Sequence, residues 1–74
     1  MSDSNSSNAT IRVNGRQHPA EAGMTIAELL ERLEITSRYA LVERNGCPVP
    51  RESFNVVELA AGDEVVVARP VAGG

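Results

Sequence analysis

The residues of this 74-residue chain best suited to chemistry are its last two, Gly73 and Gly74, which follow Val71 and Ala72. Glycine has no Cβ, so a backbone ending in two of them can pass through a channel too narrow for any side chain. A partner can then reach the α-carboxylate. That group is ionised at neutral pH, with a reference pKa of about 3.5, and a carboxylate is a poor electrophile. It needs activation, and the economical route is an acyl adenylate formed by another enzyme with ATP, open to attack by sulfur or an amine.

Other reactive side chains are few. Cys47 is the single cysteine, so it has no internal disulfide partner, and neither a second cysteine nor a pair of histidines offers metal-ligand spacing. With no neighbouring His or Lys to stabilise a thiolate, Cys47 reads as a small apolar residue of a short strand. His18, beside Pro19, reads as a surface residue rather than a base. No acid-base pair, activated nucleophile or metal cluster emerges on any element, so catalysis by the chain itself is the least favoured class.

The elements that must position the tail are legible from pattern. Residues Met1 to Ala9 are rich in Ser and Asn without apolar periodicity and read as a disordered extension, with the domain spanning 10–74. Ile11 and Val13 alternate with polar neighbours, and Asn14-Gly15 supplies the positive dihedrals of a tight turn into Arg16 to Ala20. Pro19 removes a ladder donor, which suits an edge strand. Thr25 and Glu28 make a capping-box pattern. After it, Ile26, Leu29, Leu30 and Leu33 form one apolar helical stripe, with Glu28, Glu31, Arg32 and Glu34 opposite.

Tyr39 to Arg44 predicts a strand ending at a second Asn-Gly turn, Asn45-Gly46, with a short return over Cys47 to Val49 stopped by Pro50. Between Arg51 and Leu59, residues Phe54, Val56, Val57 and Leu59 are expected to pack from an irregular loop or single helical turn. Gly62-Asp63 then turns the chain into Glu64 to Arg69, whose Val65-Val66-Val67 centre is apolar on both faces and predicts a central strand. From about Pro70 the chain is expected to be a flexible tail. These elements give an α+β fold, a four- to five-stranded mixed sheet with one helix on one face. The opposite face keeps apolar residues with no cover from this chain, which suits partner docking.

Composition narrows the partners. The chain has a net charge of −3, with seven arginines and no lysine, and no basic cluster for a nucleic-acid backbone. No apolar run approaches the roughly 20 residues that span a bilayer, and no secretory signal opens the chain, so a cytoplasmic protein is expected. The core must be aliphatic, since Tyr39 and Phe54 are the only aromatics.

Taken together, the hairpin at Asn14-Gly15, the capped helix from Thr25 and the Gly62-Asp63 turn leading to Gly73-Gly74 resemble the ubiquitin-like β-grasp sulfur carriers. Within them, Val42-Glu43-Arg44-Asn45-Gly46, Val49-Pro50-Arg51-Glu52 and Gly62-Asp63-Glu64-Val65 resemble the ThiS family of thiamine biosynthesis. The resemblance covers residues 10–74. It implies that Gly74 is adenylated and converted to a thiocarboxylate, and that Gly73, Ala72, Val71, Pro70 and Arg69 serve tail recognition. It also implies a ThiF-type adenylating enzyme and thiazole synthase as partners, with ATP and a sulfur donor used by the activating enzyme and no cofactor held by the carrier, itself a monomer. Arg69-Pro70 is similar to the molybdopterin-synthase small subunit, leaving that pathway as an alternative. Another sulfur-transfer pathway, a ubiquitin-like modifier and a β-grasp binding module with an idle tail are the others.

Overall fold

The computed structural model describes residues 8–69. Strands β1 (Asn8–Val13) and β2 (Arg16–Glu21) form the first hairpin, followed by helix α1 (Ile26–Arg32). Strands β3 (Leu41–Arg44) and β4 (Cys47–Val49) form the second, and β5 (Glu64–Ala68) closes the series. The sheet order is β2-β1-β5-β3-β4, so the last strand in sequence is the central one. It runs parallel to β1 and antiparallel to β3. A parallel pair needs a long crossover, and the helix and second hairpin supply it.

The hairpins turn where the Asn-Gly pairs predict. Asn14 and Gly15 have φ of 53° and 84°, and Asn45 and Gly46 have 52° and 83°, the left-handed values that such a turn requires. Pro19 stands on the edge strand β2, opposite Thr10. Strand pairing reaches further toward the amino terminus than composition suggested. Asn8 and Ala9, assigned to a disordered extension, pair with Glu21 and Ala20, because β2 runs on to Glu21 and offers them a ladder.

Helix α1 opens on the capping box. Glu28 N donates to Thr25 Oγ1 at 3.2 Å, and Thr25 N donates to Glu28 Oε1 at 3.0 Å. The segment 51–59 completes the cap. It begins with a 3-10 turn at Arg51–Ser53, and its carbonyls at Val57 and Phe54 accept from Ile26 N and Ala27 N at 3.1 and 2.9 Å. Three helix-start donors without intrahelical partners are thereby satisfied, two of them by backbone distant in sequence. Phe54 and Leu59 bury themselves as expected and Val57 does so in part, but Val56 is 71% exposed. The carbonyls that must face α1 dictate which side chains of this segment turn inward.

The helix ends earlier than its stripe suggests. Leu33 is the C-cap, and Glu34, expected on the helical polar face, lies beyond it at φ 61°. Ile35 N donates to Leu30 O at 2.9 Å and Glu34 N to Glu31 O at 3.0 Å, the paired bonds of a Schellman ending. Ser37–Tyr39 then forms a 3-10 turn, so β3 begins at Leu41 rather than Tyr39.

The core lies between α1 and one sheet face. Ile11, Val13, Ala20, Val42, Val65 and Val67 meet Ile26, Leu29, Leu30 and Phe54 there, all buried. On the other face Leu41 and Val66 remain 60% and 44% exposed. No described helix is long and apolar enough to cross a membrane.

Glu34 yields a prediction. An L-residue in the left-handed region is strained and glycine is not, so Glu34→Gly should stabilise the chain by about 0.5–1 kcal/mol, read as a higher urea midpoint at unchanged slope. A lower midpoint would mean that the Glu34 side chain contributes more than its backbone strain costs.

Candidate functional site

The tail leaves from β5, so the site is built on what holds that strand. Along β5 and the residue before it, the peptide groups of Asp63, Val65 and Val67 are bonded on the β1 side. Arg12 N donates to Asp63 O and Asn14 N to Val65 O, each at 2.9 Å. Beyond Asn14 the chain turns away through Gly15, and the Asn14 side chain continues the ladder. Its Oδ1 accepts from Val67 N at 2.8 Å and its Nδ2 donates to Val67 O at 3.0 Å. A carboxamide carries the donor and acceptor of a peptide group, which is why asparagine can stand in for the missing strand.

Asn45 does the corresponding work at the other end of β5, on the β3 side. Its backbone N–H donates to Glu64 O at 2.7 Å and its Oδ1 accepts from Glu64 N at 2.9 Å. Its Nδ2 donates to Asp63 Oδ1 at 3.1 Å. Asp63 also accepts from Arg44 Nε at 2.9 Å and from Ala60 N at 2.8 Å, both at Oδ2. Asp63 is the one buried charged residue of the described core, 7% exposed, and carboxylates are rarely buried without partners. Burial alone pushes its carboxyl up, but the bonds from Ala60, Asn45 and Arg44, with the Arg44 charge, outweigh it and hold the group below the usual carboxylate range.

Of the residues predicted to form the site, Arg69 is exposed and directly follows β5. Pro70, Val71, Ala72, Gly73 and Gly74 lie outside the described residues. Cys47, read as a small apolar residue of a short strand, does begin β4, and because that strand is the sheet edge its free thiol is exposed. His18 is half-buried, with Nδ1 3.0 Å from Pro19 O. No group of three or more potential metal ligands occurs among the described residues.

Next to the tail's root the uncovered sheet face is apolar. Ala68 is paired with Leu41, and Val66 with Glu43. An open groove of about 470 Å³ lies here, with Leu41, Pro48, Val66 and Ala68 among its lining residues. Tyr39, 57% exposed, stands just before β3. Sequence reasoning found this face but missed Asn14, Asn45 and Asp63 as its supports. All three sit in turn dipeptides that explain themselves locally, and the Asn14 bonds join residues 53 apart. The only signal was an Asp placed to begin an otherwise apolar central strand.

A five-stranded mixed sheet, with one helix across one face and the last strand in sequence at its centre, defines a ubiquitin-like β-grasp domain. The comparisons narrow the class. Residues 11–74 match the model of the ThiS family. The crystal structure of the thiamine biosynthesis protein ThiS from Geobacter metallireducens aligns with a TM-score of 0.75 at 29% identity, covering 88% of this chain and 99% of that one. This chain therefore belongs to the ThiS family.

Two curated relatives are thiazole synthases. The protein from Magnetococcus marinus is 38% identical over 64 residues, covering 86% of this chain and 20% of the relative. That from Paramagnetospirillum magneticum is 36% identical over 62 residues, covering 84% and 19%. The chain spans about one fifth of the length of these relatives.

The Asp63 network sets a pH dependence. Because the folded pKa is depressed, its stabilisation is complete above the unfolded value of about 3.9 and is lost as pH falls through the folded value. Asp63→Asn should cost about 1–3 kcal/mol at neutral pH. In urea titrations from about pH 7 to pH 2 the gap between wild type and variant should close at the acid end. A gap independent of pH would show that the charge contributes nothing.

Proposed function

We propose that this chain carries sulfur for thiamine thiazole synthesis on the carboxylate of Gly74. A ThiF-type enzyme joins that carboxylate to the α-phosphate of ATP and releases pyrophosphate. A sulfur donor then displaces AMP and leaves a thiocarboxylate. Thiazole synthase takes the sulfur, and the chain returns for another cycle. The chain is a co-substrate of its partners rather than a catalyst, and the ATP is theirs. The observation that carries this reading is a family match that runs through Gly74 itself.

The rest of the molecule fits the role. Two enzymes must handle one tail in turn, which asks for a small rigid body with a common docking face. The uncovered strip at Leu41, Val66 and Ala68 lies at the strand end from which the tail departs. Thiazole synthase as acceptor is supported by the two synthases in which a segment similar to this chain makes up about one fifth of the polypeptide. A carrier and an acceptor that work as one pair gain from being joined. Arg69, exposed beside the tail, is a candidate contact for either partner.

Two measurements test this reading. The intact mass of protein recovered from its own cells, under conditions that preserve labile sulfur, should include a species heavier by one oxygen-to-sulfur exchange located at Gly74, and deletion of Gly74 should abolish it. A permanent carboxylate, thiamine starvation included, would favour an idle tail, and branched conjugates through Gly74 would favour a protein modifier.

Leu41→Glu addresses the docking face. Leu41 is largely exposed, so stability should change by no more than about 0.5 kcal/mol. The KM for the carrier in ATP-dependent activation should rise about tenfold, the equivalent of about 1.4 kcal/mol of docking. An unchanged KM would move the docking surface elsewhere.

A further inference from the structure

We propose that Asn14 is a positioning residue for tail activation: its carboxamide fixes Val67, and with it the point and direction from which the last residues leave the sheet. The proposal rests on the sulfur-carrier reading and deepens it.

The geometry is specific to this end of β5. Val67 pairs with Val42 on β3, but its N–H and C=O face β1. There the backbone of β1 has already run out, since Val13 opposite Val65 is the last paired residue before the turn. Without Asn14 both peptide groups of Val67 would lack a protein partner at a position whose side chain is buried. The two bonds can form because Asn14 occupies the left-handed region at φ 53°, aiming its side chain along β5 rather than out to solvent. Asparagine enters that region more readily than most residues and also offers both a donor and an acceptor.

The consequence for the tail follows from chain length. Gly74 lies seven positions beyond Val67, a reach of at most about 25 Å. With the body docked through its uncovered face, the carboxylate must arrive at a fixed point in the activating enzyme. Freedom at Val67 widens the set of positions that the carboxylate can sample, and misplacement of a reacting group by an ångström can cost orders of magnitude in rate. Holding Val67 before docking removes that freedom in advance. The effect should fall on the step in which the carboxylate meets ATP and not on docking of the body.

The test compares Asn14→Gly with Asn45→Gly. Both keep the left-handed turn and remove a side-chain clamp from β5, the first at the tail end and the second at the far end. Carrier-dependent AMP formation by the ThiF-type enzyme would be followed with each chain, alongside hydrogen exchange of the Val67 amide. Asn14→Gly should lower kcat about tenfold with KM for the carrier unchanged within about twofold, the scale set by freeing one ordered residue. The Val67 amide should lose its protection in that variant. Asn45→Gly, although destabilised, should keep kcat. Equal losses of kcat in both variants, or a wild-type kcat in Asn14→Gly, would overturn the proposal and leave Asn14 a purely structural residue. If wild-type carrier were never adenylated, the sulfur-carrier reading would fall. The Val67 amide would then decide whether the clamp exists, and fast exchange in the wild-type chain would overturn that as well.

Discussion

The fold depends on how a short central strand is held at both of its ends. Strand β5 has five residues, and its neighbours fall short of it at opposite ends: β1 turns away at Asn14-Gly15 before β5 finishes, and β3 turns at Asn45-Gly46 where β5 begins. Buried peptide groups left behind by a departing neighbour would each cost about as much as a lost hydrogen bond. The same residue type solves the problem twice. Each turn begins with an asparagine in the left-handed region, and each asparagine turns its side chain onto β5, Asn45 at Glu64 and Asn14 at Val67. A residue chosen for its backbone conformation thereby supplies the missing rung of the ladder. The turn and the central strand cannot be varied independently.

Asp63 adds a charge to this arrangement. Its carbonyl is bonded to Arg12 of β1, while its carboxylate gathers Arg44, Asn45 and the Ala60 amide. One residue thus ties together β1, the second hairpin and the loop leading into β5. The cost of burying a carboxylate is offset only because each oxygen has donors, one of them charged. An apolar residue here could fill the space, but it would leave Asn45 Nδ2 and Ala60 N without their acceptor. Two of the three segments that carry the family resemblance, 42–46 and 62–65, meet in this network.

The legible part of the fold was the locally determined part. The capping box at Thr25, the Asn-Gly turns, the edge position of Pro19 and the apolar centre of β5 each follow from residues within a few positions of one another. They were enough to define the class of fold. The features that stayed hidden have partners far along the chain. Segment 51–59 looks irregular because its backbone serves the start of α1, and Val56 is exposed as a consequence. Glu34 reads as a helical residue because its spacing continues the polar face, whereas the Schellman bonds depend on where Ile35 can pack. Of the candidate site, the open face was visible in advance and the support beneath it was not, while Gly73-Gly74 lie outside the described residues. Asn14 does not differ in sequence from an ordinary turn residue, and Asp63 differs only in standing directly before an apolar strand.

A single helix can cover only one face of a five-stranded sheet, so a domain of this size must leave the other face open. In an isolated protein that is a liability, and the exposed side chains Leu41 and Val66 would be candidates for replacement by polar residues. On the proposed carrier reading, the same face would give its partners something to grip while the tail is engaged. The two requirements meet on β5, whose Val65 and Val67 face the core while Val66 and Ala68 face outward. A partner that docks on the outward side therefore presses on a strand already fixed from behind by α1 and from its edges by two asparagines. At the end where the tail begins, the group that completes the sheet beside β5 is the Asn14 carboxamide, bonded to both the N–H and the C=O of Val67.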